Sequence, residues 1–406
     1  MNDGAFGFGQ GVTGGSAAAA PTRVKNAAEL RTALEALTPD SPPTIIELVG
    51  VPPNENAFDF GSGIGKRQAV KLRARGLTLR PFGGVVLKNF RLAVDCDVSD
   101  NILITGLSFH SDGAADGARD AIDLDSNGGA ANAPPSSRVR ITRCSFDGYF
   151  DIAIDVKTAP ASPRLLVTID HCLFFDSRPG LYGPKGRKKE PATFVNRGAI
   201  NFATDKEKGV KDANAFVTIA NNAFIDVWRR SPRIARGTRA HVFNNILFRW
   251  GITDPNSPEP NNGTWRGMEV GGGENANPTD DGTVLIQANR FIPWSEKPQT
   301  EPEIKIHPNT HVDLRGVPPR LNVFDTSEGK PVADGEPVPT VPEDRRTRID
   351  TDAFYRDLNL EPPQVVAMAR VGWLALVREA GPPALFPSAG NPRRELENVL
   401  QKADKP

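Results

Sequence analysis

The chain has 406 residues and equal numbers of basic and acidic side chains, 49 Lys plus Arg and 49 Asp plus Glu, so its formal net charge is zero. This balance argues against a surface devoted as a whole to nucleic acid or to an anionic membrane, and the length suits two domains or one elongated repeat architecture. Glycine (38) and proline (36) interrupt long helices, and no apolar run reaches the roughly 18 residues of a membrane span, which disfavours helical bundles and membrane proteins.

The first segment of the chain is rich in glycine, and Gly9, Gly11 and Gly14 fit the pattern G-x-G-x-x-G. A dinucleotide-binding turn needs a strand before these glycines and a helix directly after them. The sequence predicts neither, so we do not interpret the segment as a nucleotide site. The chain starts without the basic and apolar regions of a signal peptide, as the mature form of a secreted protein also would.

A capping-box-like pair, Asn26 and Glu29, predicts the start of an amphipathic helix whose apolar face includes Leu30 and Leu34. The next predicted element is a strand at residues 44–49. We expect the helix to cover the open end of a stack of strands, because an unpaired edge would otherwise promote aggregation.

One six-residue pattern recurs along the middle of the chain: an aliphatic residue, three mostly small or polar residues, a variable residue and then phenylalanine. It occurs at residues 104–109, 141–146, 169–174, 219–224 and 286–291, with a variant at 242–247 that ends in leucine. The fourth positions are Leu107, Cys144, Cys172, Asn222, Asn245 and Asn289. Alternating polarity and β-branched residues predict strands that repeat in a unit of about 22–28 residues, sometimes doubled or lengthened.

These copies favour an all-β parallel solenoid, in which neighbouring coils bury together the inner face that no single coil can bury. Equivalent side chains then lie one strand spacing apart, about 4.8 Å, so the asparagines would form a hydrogen-bonded ladder and the phenylalanines an apolar stack. A β-sandwich whose strands share a composition by chance is the alternative, but a sandwich provides no reason for the repeated positions.

The pattern also makes predictions for cysteine and histidine. Cys144 and Cys172 share a column, so we expect stacked thiols in the core, although the spacing of neighbouring strands also permits a disulfide. Asp170 and His171 are adjacent in a predicted strand and should face opposite sides of it. We therefore interpret His171 as structural rather than as half of an acid–base pair.

Acidic residues lie between the first copies, with Asp120 and Asp123 in one predicted strand and Asp151 and Asp155 in the next. Residues four apart in a strand point to the same face, and Asp120 of the preceding coil could stack beside Asp151 and Asp155. Carboxylates on one solvent-facing surface repel one another unless a cation joins them, and hard oxygen ligands suit Ca²⁺. Ordinary solubilising aspartates on an exposed sheet are the alternative.

Five arginines fall within residues 229–239, directly after the copy that ends at Phe224. In a neutral chain they form a concentrated positive patch, suited to a polyanion that carries carboxylates or phosphates. A solvated loop whose arginines pair with surface acids is the alternative. A nucleic-acid groove would need more aromatic side chains than Trp228 and Phe243. Together with the acids of nearby coils, the patch favours a site for a carboxylate polymer bridged by calcium.

The last part of the chain differs in composition. Residues 315–362 are rich in proline and charge and predict an extended arm. A helix is predicted over 363–380, ended by Gly381-Pro382, and a short helix over 393–402. We therefore divide the chain into a solenoid with its N-terminal cap, residues 1–314, which would carry the functional site, and a C-terminal arm with short helices that packs on the solenoid, residues 315–406.

Several of these segments resemble those of the pectate lyases of polysaccharide lyase family 1, which fold as a right-handed parallel β-helix. The opening glycine-rich segment is similar to the mature start of those enzymes, and the Asp-Ala-Ile that starts at Asp120 is similar to part of their calcium motif. The Arg-x-Pro segment that starts at Arg230 and the His-x-x-Asn-Asn segment that starts at His241 resemble their catalytic segment. The resemblance covers roughly residues 5–295.

The resemblance implies roles for individual residues. The implied site residues are, for catalysis, Arg230; for binding of substrate carboxylates, Arg178 and Arg236; and for calcium, Asp120, Asp151 and Asp155. Arg178 stands where the family has a lysine, and Arg197 is a rival for that position. The family has an aspartate two residues before Asp120, where this chain has Ala118, so Asp116 or Asp123 could complete the calcium ligands.

The implied function is cleavage of polygalacturonate by calcium-assisted β-elimination. The protein is then expected to be a secreted monomer that binds an acidic polysaccharide, and neither nucleic acid nor a membrane. Three alternatives are open. They are a pectin lyase acting on methylated pectin, a hydrolase that uses two aspartates as acid and base, and a polysaccharide-binding solenoid without activity.

Overall fold

The structure of the protein is a computed structural model. It describes residues 6–15, 20–50, 58–61, 69–111, 120–128, 133–149, 152–159, 163–177, 198–204, 214–227, 230–234, 238–250, 267–271, 282–293, 304–306, 311–314, 322–325, 349–365, 368, 370–381 and 392–402.

The described strands form three parallel sheets, A, B and C, and the chain winds through them in that order, coil after coil, as a right-handed parallel β-helix. Within the described residues, sheet A has ten strands and sheets B and C have eight each. The all-β solenoid predicted from the repeats is thus confirmed.

The strands are numbered along the chain. Sheet A contains β1 (Thr22–Val24), β2 (Thr44–Val49), β4 (Arg75–Phe82), β7 (Asp100–Thr105), β10 (Ser136–Thr142), β13 (Arg164–Asp170), β16 (Ala215–Ala220), β19 (Arg239–Phe243), β22 (Thr283–Gln287) and β25 (His311–Asp313). Sheet B contains β5 (Val86–Lys88), β8 (Ser108–His110), β11 (Ser145–Asp147), β14 (Leu173–Ser177), β17 (Ala223–Val227), β20 (Ile246–Trp250), β23 (Arg290–Pro293) and β26 (Val323–Phe324). Sheet C contains β3 (Val70–Leu72), β6 (Leu92–Asp95), β9 (Asp120–Asp125), β12 (Ile152–Thr158), β15 (Gly198–Thr204), β18 (Arg233–Ile234), β21 (Met268–Val270) and β24 (Ile304–Ile306).

The helices lie near the two ends of the chain. They are a short 3₁₀ turn at Gly7–Gly9 and the α-helices α1 (Ala27–Glu35), α2 (Thr351–Arg356), α3 (Arg370–Glu379) and α4 (Pro392–Lys402). None of the described helices is long and apolar enough to cross a membrane.

The recurring six-residue pattern forms the corner between sheets A and B. Its third residue adopts a left-handed backbone in all six copies, with φ between +52° and +70°. These residues are Gly106, Arg143, His171, Asn221, Asn244 and Ala288. A single left-handed residue turns the chain from one sheet to the next, and its sharp turn directs the fourth residue into the core.

The predicted ladder and stack both lie inside the solenoid. The rings of Phe109, Phe146, Phe174 and Phe224 stack in series with centroids 4.9, 5.0 and 5.0 Å apart. After the first, each asparagine of the ladder accepts hydrogen bonds through Oδ1 from the backbone N–H and the side-chain amide of the asparagine before it. The ladder runs through Asn222, Asn245, Asn289 and Asn322. The three cysteines are buried free thiols.

Helix α1 caps one end of the stack, as predicted. The Asn26 side chain accepts a hydrogen bond of 2.9 Å from the backbone N–H of Glu29. The Glu29 carboxylate reaches back to the Lys25 N–H at 2.8 Å. Leu30 and Leu34 are fully buried and join the main core of the solenoid. Burial of this apolar face stabilises the helix against the end of the stack.

The glycines of the N-terminal segment allow the chain to lie directly on sheet A. The Gly9 N–H donates to Thr168 Oγ1 at 2.8 Å, and a Cβ atom on Gly9 would lie 2.8 Å from that same oxygen. A Cβ atom on Gly14 would lie 2.1 Å from Thr78 Oγ1. Close packing on threonine side chains therefore explains Gly9 and Gly14, whereas Gly11 takes a left-handed backbone with φ at +80°.

The C-terminal residues cover the outer faces of sheets A and B. Tyr355 of α2 stacks on Phe8 with ring centroids 4.5 Å apart, and its Oη lies 2.8 Å from His241 Nδ1 of β19. Helices α3 and α4 pack apolar residues on sheet B, among them Trp373 and Leu396.

The C-terminal part of the chain differs from the prediction in the arm and in the start of α3, and agrees with it in the last helix. The region predicted as an extended arm contains helix α2 and the last strand of sheet B, β26, so the solenoid continues past residue 314. Helix α3 begins at Arg370, later than the predicted start at residue 363. The short third helix is confirmed at Pro392–Lys402.

Asp170 and His171 contact each other, and the prediction that they face opposite sides is wrong. The strand ends at Asp170 and His171 takes the left-handed corner conformation, which brings His171 Nδ1 to 2.8 Å from Asp170 Oδ2. Arg140 Nε and Nη2 also donate to this carboxylate, at 2.9 and 3.0 Å. Asp170 is fully buried, so the group is a structural network at a corner of the core.

Candidate active site

The outer face of sheet C carries a row of polar side chains, one from each successive coil. Strand register aligns Asp123, Asp155, Asn201, Arg233 and Glu269. Residues aligned in this way in parallel strands lie about 4.8 Å apart, so the row is a continuous stripe that is acidic at one end and holds Arg233 further along.

Asp120 lies beside this row rather than in it. Its register partner in the next coil is Ile152, whereas the partner of Asp155 is Asp123. The sequence analysis placed Asp120 next to Asp155 and named Asp123 only as a possible addition. Side chains alternate between the two faces of a strand. Asp120 and Asp123 are three residues apart, so they do not occupy equivalent positions, and only Asp123 aligns with Asp155.

Arg91, just before β6, joins Asp120 and Asp123. Its Nε donates to Asp123 Oδ2 at 2.5 Å, and its Nη2 lies 3.0 Å from Asp120 Oδ2. All three side chains are nearly inaccessible to solvent. Burial alone would lower the pKa of Arg91, but the hydrogen bond and charge of Asp123 raise it above its ordinary value.

Lys157 performs a similar role one coil further on. Its Nζ lies 2.5 Å from Asp155 Oδ2, and register places it beside Asp125 of the preceding coil. Burial would lower the pKa of Lys157, but the charge and hydrogen bond of Asp155 raise it. Burial, followed by the charge of Asp123, raises the pKa of Asp125.

Asp155 is buried, with 8% of its surface exposed, which corrects the expectation that it faces solvent. Its second oxygen, Oδ1, accepts a hydrogen bond of 2.8 Å from Asn201 Nδ2. Lys157 and Asn201 thus cover the carboxylate from two sides. Long side chains of neighbouring positions can bury an outward-facing residue of a sheet, and sequence periodicity does not reveal this.

Arg230 lies between β17 and β18, at the edge of sheet C. Its backbone is left-handed, with φ at +59°, and its carbonyl accepts a hydrogen bond of 3.1 Å from the N–H of Ile200. Its side chain packs over Gly198, where a Cβ atom would lie 2.8 Å from Arg230 Cβ and 3.0 Å from Cδ. Gly198 is in register with Ile152, and Ile152 with Asp120, so Gly198 lies two coils from Asp120. Arg230 belongs to the coil after that of Gly198 and therefore lies three coils from Asp120.

Several predicted site residues lie outside the described part of the chain. They are Arg178, Arg197, Arg236, Asp116 and Asp151. Their roles stay predictions. Among the described arginines of the positive patch, Arg233 is mostly buried, with its Nε 3.5 Å from Glu269 Oε1.

The described carboxylates do not fit a calcium ion as they stand. Calcium takes about six to eight oxygen ligands, usually with several carboxylates among them. Over the described ranges, no group of three or more His, Cys, Asp and Glu side chains is placed to hold a metal ion. Asp120 contacts Arg91, and both oxygens of Asp155 contact protein groups.

The sequence analysis missed three residues of this site: Arg91, Lys157 and Gly198. Lys157 follows Asp155 by two residues and therefore shares its face, a signal that strand periodicity could have supplied. Arg91 and Gly198 lie in other coils, and only the register of the sheet brings them to the site.

The fold is shared with solved pectate lyases. Pectate lyase II from Xanthomonas campestris pv. campestris is 17% identical and superposes with a TM-score of 0.58, over 94% of this chain and 98% of that chain. A pectate lyase from Paenibacillus sp. 0602 is 18% identical, with a TM-score of 0.57 over 98% of each chain. The thermostable pectate lyase PL 47 is 16% identical, with a TM-score of 0.54 over 94% of this chain and 97% of that chain.

No protein-family model matches the chain, and no curated protein matches its sequence. At 14–18% identity to solved pectate lyases, the likeness establishes the fold alone. The expected pectate lyase-like right-handed parallel β-helix is therefore confirmed, and the activity is a separate question.

Proposed function

We propose that this protein is a polysaccharide lyase that cleaves polygalacturonate by β-elimination. The observation that carries the proposal is the position of Arg230 at the edge of sheet C, over Gly198 and three coils from Asp120, in a solenoid with the pectate lyase fold. The position of Arg230 beside a polar row that runs across several coils supports its proposed role on an extended polymer.

The reaction breaks a C–H bond and a C–O bond of one sugar unit. A base removes the proton from C5, next to the carboxylate, the released electron pair forms the C4–C5 double bond, and O4 leaves with the neighbouring sugar and takes up a proton. The C5–H bond is only weakly acidic, so the largest task is to stabilise the negative charge that develops on the carboxylate. Cationic side chains aimed at that carboxylate perform this task.

In this proposal Arg230 removes the C5 proton, and Arg178 and Arg236 bind substrate carboxylates. A guanidinium loses its proton only at high pH, so we expect an alkaline optimum. Nearby positive charge assists by disfavouring the protonated form. The substrate is a polymer outside the cell, so the proposal includes secretion, and it needs only a single chain.

Calcium is the cofactor that the sequence predicts. Bound between Asp120, Asp151 and Asp155, it would add positive charge next to the substrate carboxylate. Because the described carboxylates already contact Arg91, Lys157 and Asn201, no step of the proposed mechanism passes through calcium.

A hydrolase is the less favoured alternative. It needs one carboxyl group as an acid and a second as a base, on either side of the scissile bond. Asp120, Asp123 and Asp155 each contact a cationic side chain of the protein instead of an open cleft. The same ion pairs favour a pectin lyase as the second alternative. They occupy the carboxylates that would bind a metal ion, and a methylated substrate has few free carboxylates for such an ion to neutralise.

The products formed from polygalacturonate distinguish these functions. We expect ultraviolet absorbance from the C4–C5 double bond to appear together with new reducing ends. Reducing ends without this absorbance would indicate a hydrolase, and neither signal would indicate a binding protein. Initial rates over a pectin methylation series then separate the two lyases. We expect the rate to fall as methylation rises, whereas a maximum on highly methylated pectin would assign a pectin lyase.

A further inference from the structure

Four carboxylates and two cationic side chains form one group at the acidic end of the polar row on sheet C. We propose that Arg91 and Lys157 supply the positive charge here that a divalent cation would otherwise supply, so that the site works without calcium. The effect on catalysis rests on the proposed lyase function, whereas the effect on cation binding does not.

Arg91 bridges two carboxylates from one strand. Its Nε contacts Asp123 at 2.5 Å and its Nη2 contacts Asp120 at 3.0 Å, so one planar guanidinium joins two acids that would repel each other. The Arg91 side chain is 9% exposed and those of Asp120 and Asp123 are 4% and 1% exposed. Arginine suits such a buried bridge because its donors are rigid. Burial would lower the pKa of Arg91, but the neighbouring carboxylates raise it above its ordinary value, which favours the charged form.

Lys157 stands between the other two carboxylates. It contacts Asp155 Oδ2 at 2.5 Å, and its register partner in the preceding coil is Asp125. The amide of Asn201 completes the environment of Asp155. The two bridges are therefore formed on adjacent coils, at Asp120 and Asp123 and at Asp125 and Asp155.

The side chains of Arg91 and Lys157 together carry the same charge as one calcium ion, and they belong to the protein itself. A calcium ion that entered would have to displace Lys157 from Asp155 and compete with Arg91 for Asp120. Binding would then cost the ion pairs that it replaces, which lowers the calcium affinity. A substitution that removes the charge of Lys157 but keeps the length of its side chain should therefore allow calcium to bind at Asp155.

Calorimetric titration with calcium chloride tests cation binding directly. We expect the native protein to bind no calcium up to about 10 mM, and the Lys157→Met variant to bind it in the range of about 0.1–1 mM that weak protein sites reach. The Lys157 side chain is 43% exposed, so the variant should fold. Lys88→Met is the matched control, because Lys88, on sheet B, pairs with Asp59 at 3.5 Å and not with a carboxylate of this group, so its loss should leave calcium binding undetectable.

Lyase rates with and without a calcium chelator test the effect on catalysis. We expect the native rate to change less than twofold with the chelator. The Lys157→Met variant should lose at least about tenfold in rate and recover part of it when calcium is added.

Native calcium binding tighter than about 10 mM, or a native rate that the chelator abolishes and calcium restores, would overturn the proposal. If the protein has no lyase activity at all, the proposed function fails, and the titration still decides whether Arg91 and Lys157 exclude calcium.

Discussion

At the scale of single residues, Arg230, the candidate base, can occupy its position because Gly198, which it packs against, has no side chain. The alkyl part of Arg230 packs over Gly198, and even one methyl group there would lie 2.8 Å from Arg230 Cβ. Arg230 itself has a left-handed backbone, which costs a non-glycine residue about 1–2 kcal/mol. Such local cost is tolerated where the surrounding structure holds the residue in place.

Arg230→Lys should lower kcat at least about 100-fold, because lysine keeps the charge but changes the position and chemistry of the proton acceptor. The measurement is the initial rate of unsaturated product formation, with chemical denaturation to establish folding. Arg164→Lys, an exposed arginine on sheet A, is the control and should keep the native rate. A variant that keeps more than about a tenth of kcat, a loss under ~1.4 kcal/mol, would show that Arg230 is not the base.

Gly198→Ala should displace the Arg230 side chain and lower kcat about tenfold or more. The added Cβ atom would also lie 3.0 Å from Ile152 Cδ1, so the double variant Gly198→Ala with Ile152→Val should recover part of the rate. Gly84→Ala is the control, since a Cβ atom there meets nothing within 4 Å. Equal kcat values for Gly198→Ala and Gly84→Ala would contradict the role of Gly198.

Asp170→Asn should lower the free energy of unfolding by about 3 kcal/mol near pH 7, because it leaves the buried guanidinium of Arg140 without its counterion. Burial would raise the pKa of Asp170, but the hydrogen bonds of His171 and Arg140 lower it below its ordinary value. The folded state therefore gains stability above the ordinary pKa of aspartate, about 3.9, and loses it as the pH falls through the lowered pKa.

Urea unfolding of the native protein and Asp170→Asn, near pH 7 and near pH 3, measures this. The difference in unfolding free energy between the two proteins should shrink in acid. The exposed pair Arg31–Glu35 supplies the control, and Glu35→Gln should cost under ~0.5 kcal/mol at either pH. A difference that stays constant with pH would exclude Asp170 as a source of acid sensitivity.

At the scale of elements, one corner repeated six times organises the solenoid. Each copy places a left-handed residue third and a core residue fourth, and the fourth positions change from Leu107 and the cysteines to asparagines along the stack. The ladder begins where Asn222 Oδ1 accepts a hydrogen bond of 2.9 Å from the Cys172 N–H. Asparagine amides therefore satisfy corner backbone groups in the later coils.

Asn245→Ala should lower the free energy of unfolding by about 2–4 kcal/mol. The Asn245 side chain is buried, accepts from the Asn222 N–H and amide, and donates to the Ile219 carbonyl, so its loss leaves several buried polar groups without partners. Asn127→Ala, at an exposed position, should change stability little. Equal unfolding free energies of the two variants would show that the ladder adds no stability.

At the scale of the whole molecule, the two ends of the chain meet on the outside of the solenoid. Tyr355 of α2 contacts Phe8 of the N-terminal segment and His241 of sheet A. Helices α3 and α4 share an apolar cluster with sheet B, and Arg249 of β20 forms ion pairs with both Asp226 and Glu395. The C-terminal unit therefore completes the packing of the solenoid, and we propose that it unfolds together with it.

Trp373→Ala should lower the free energy of unfolding by about 3–5 kcal/mol, because Trp373 is buried between α3 and sheet B. The thermal transition should stay single. Phe82→Ala is the control, since Phe82 is 52% exposed, and it should shift stability by less than ~1 kcal/mol. A separate low-temperature transition in Trp373→Ala would show instead that the helices unfold on their own.

The sequence by itself determined the solenoid, the phenylalanine stack, the asparagine ladder and the capping helix. Each of these depends on a local pattern that repeats or on a short-range signal such as the Asn26–Glu29 pair, so no long-range information is needed. The motif around Arg230 also predicts its role as the base, and that role stays a prediction. The sequence did not reveal the left-handed third position, although glycine or asparagine occupies it in Gly106, Asn221 and Asn244.

Only the tertiary structure decided which side chains meet on sheet C. The segments between successive coils differ in length, and a shift of one residue in strand register moves a side chain to the opposite face. The sequence therefore could not predict that Asp155 stands beside Asp123 rather than Asp120, or that Arg91 contacts Asp120 and Asp123. The sequence of one strand shows which of its residues share a face. Hydrogen bonding between coils determines which residues of neighbouring strands lie side by side, and this pairing brings the charges of the candidate site together.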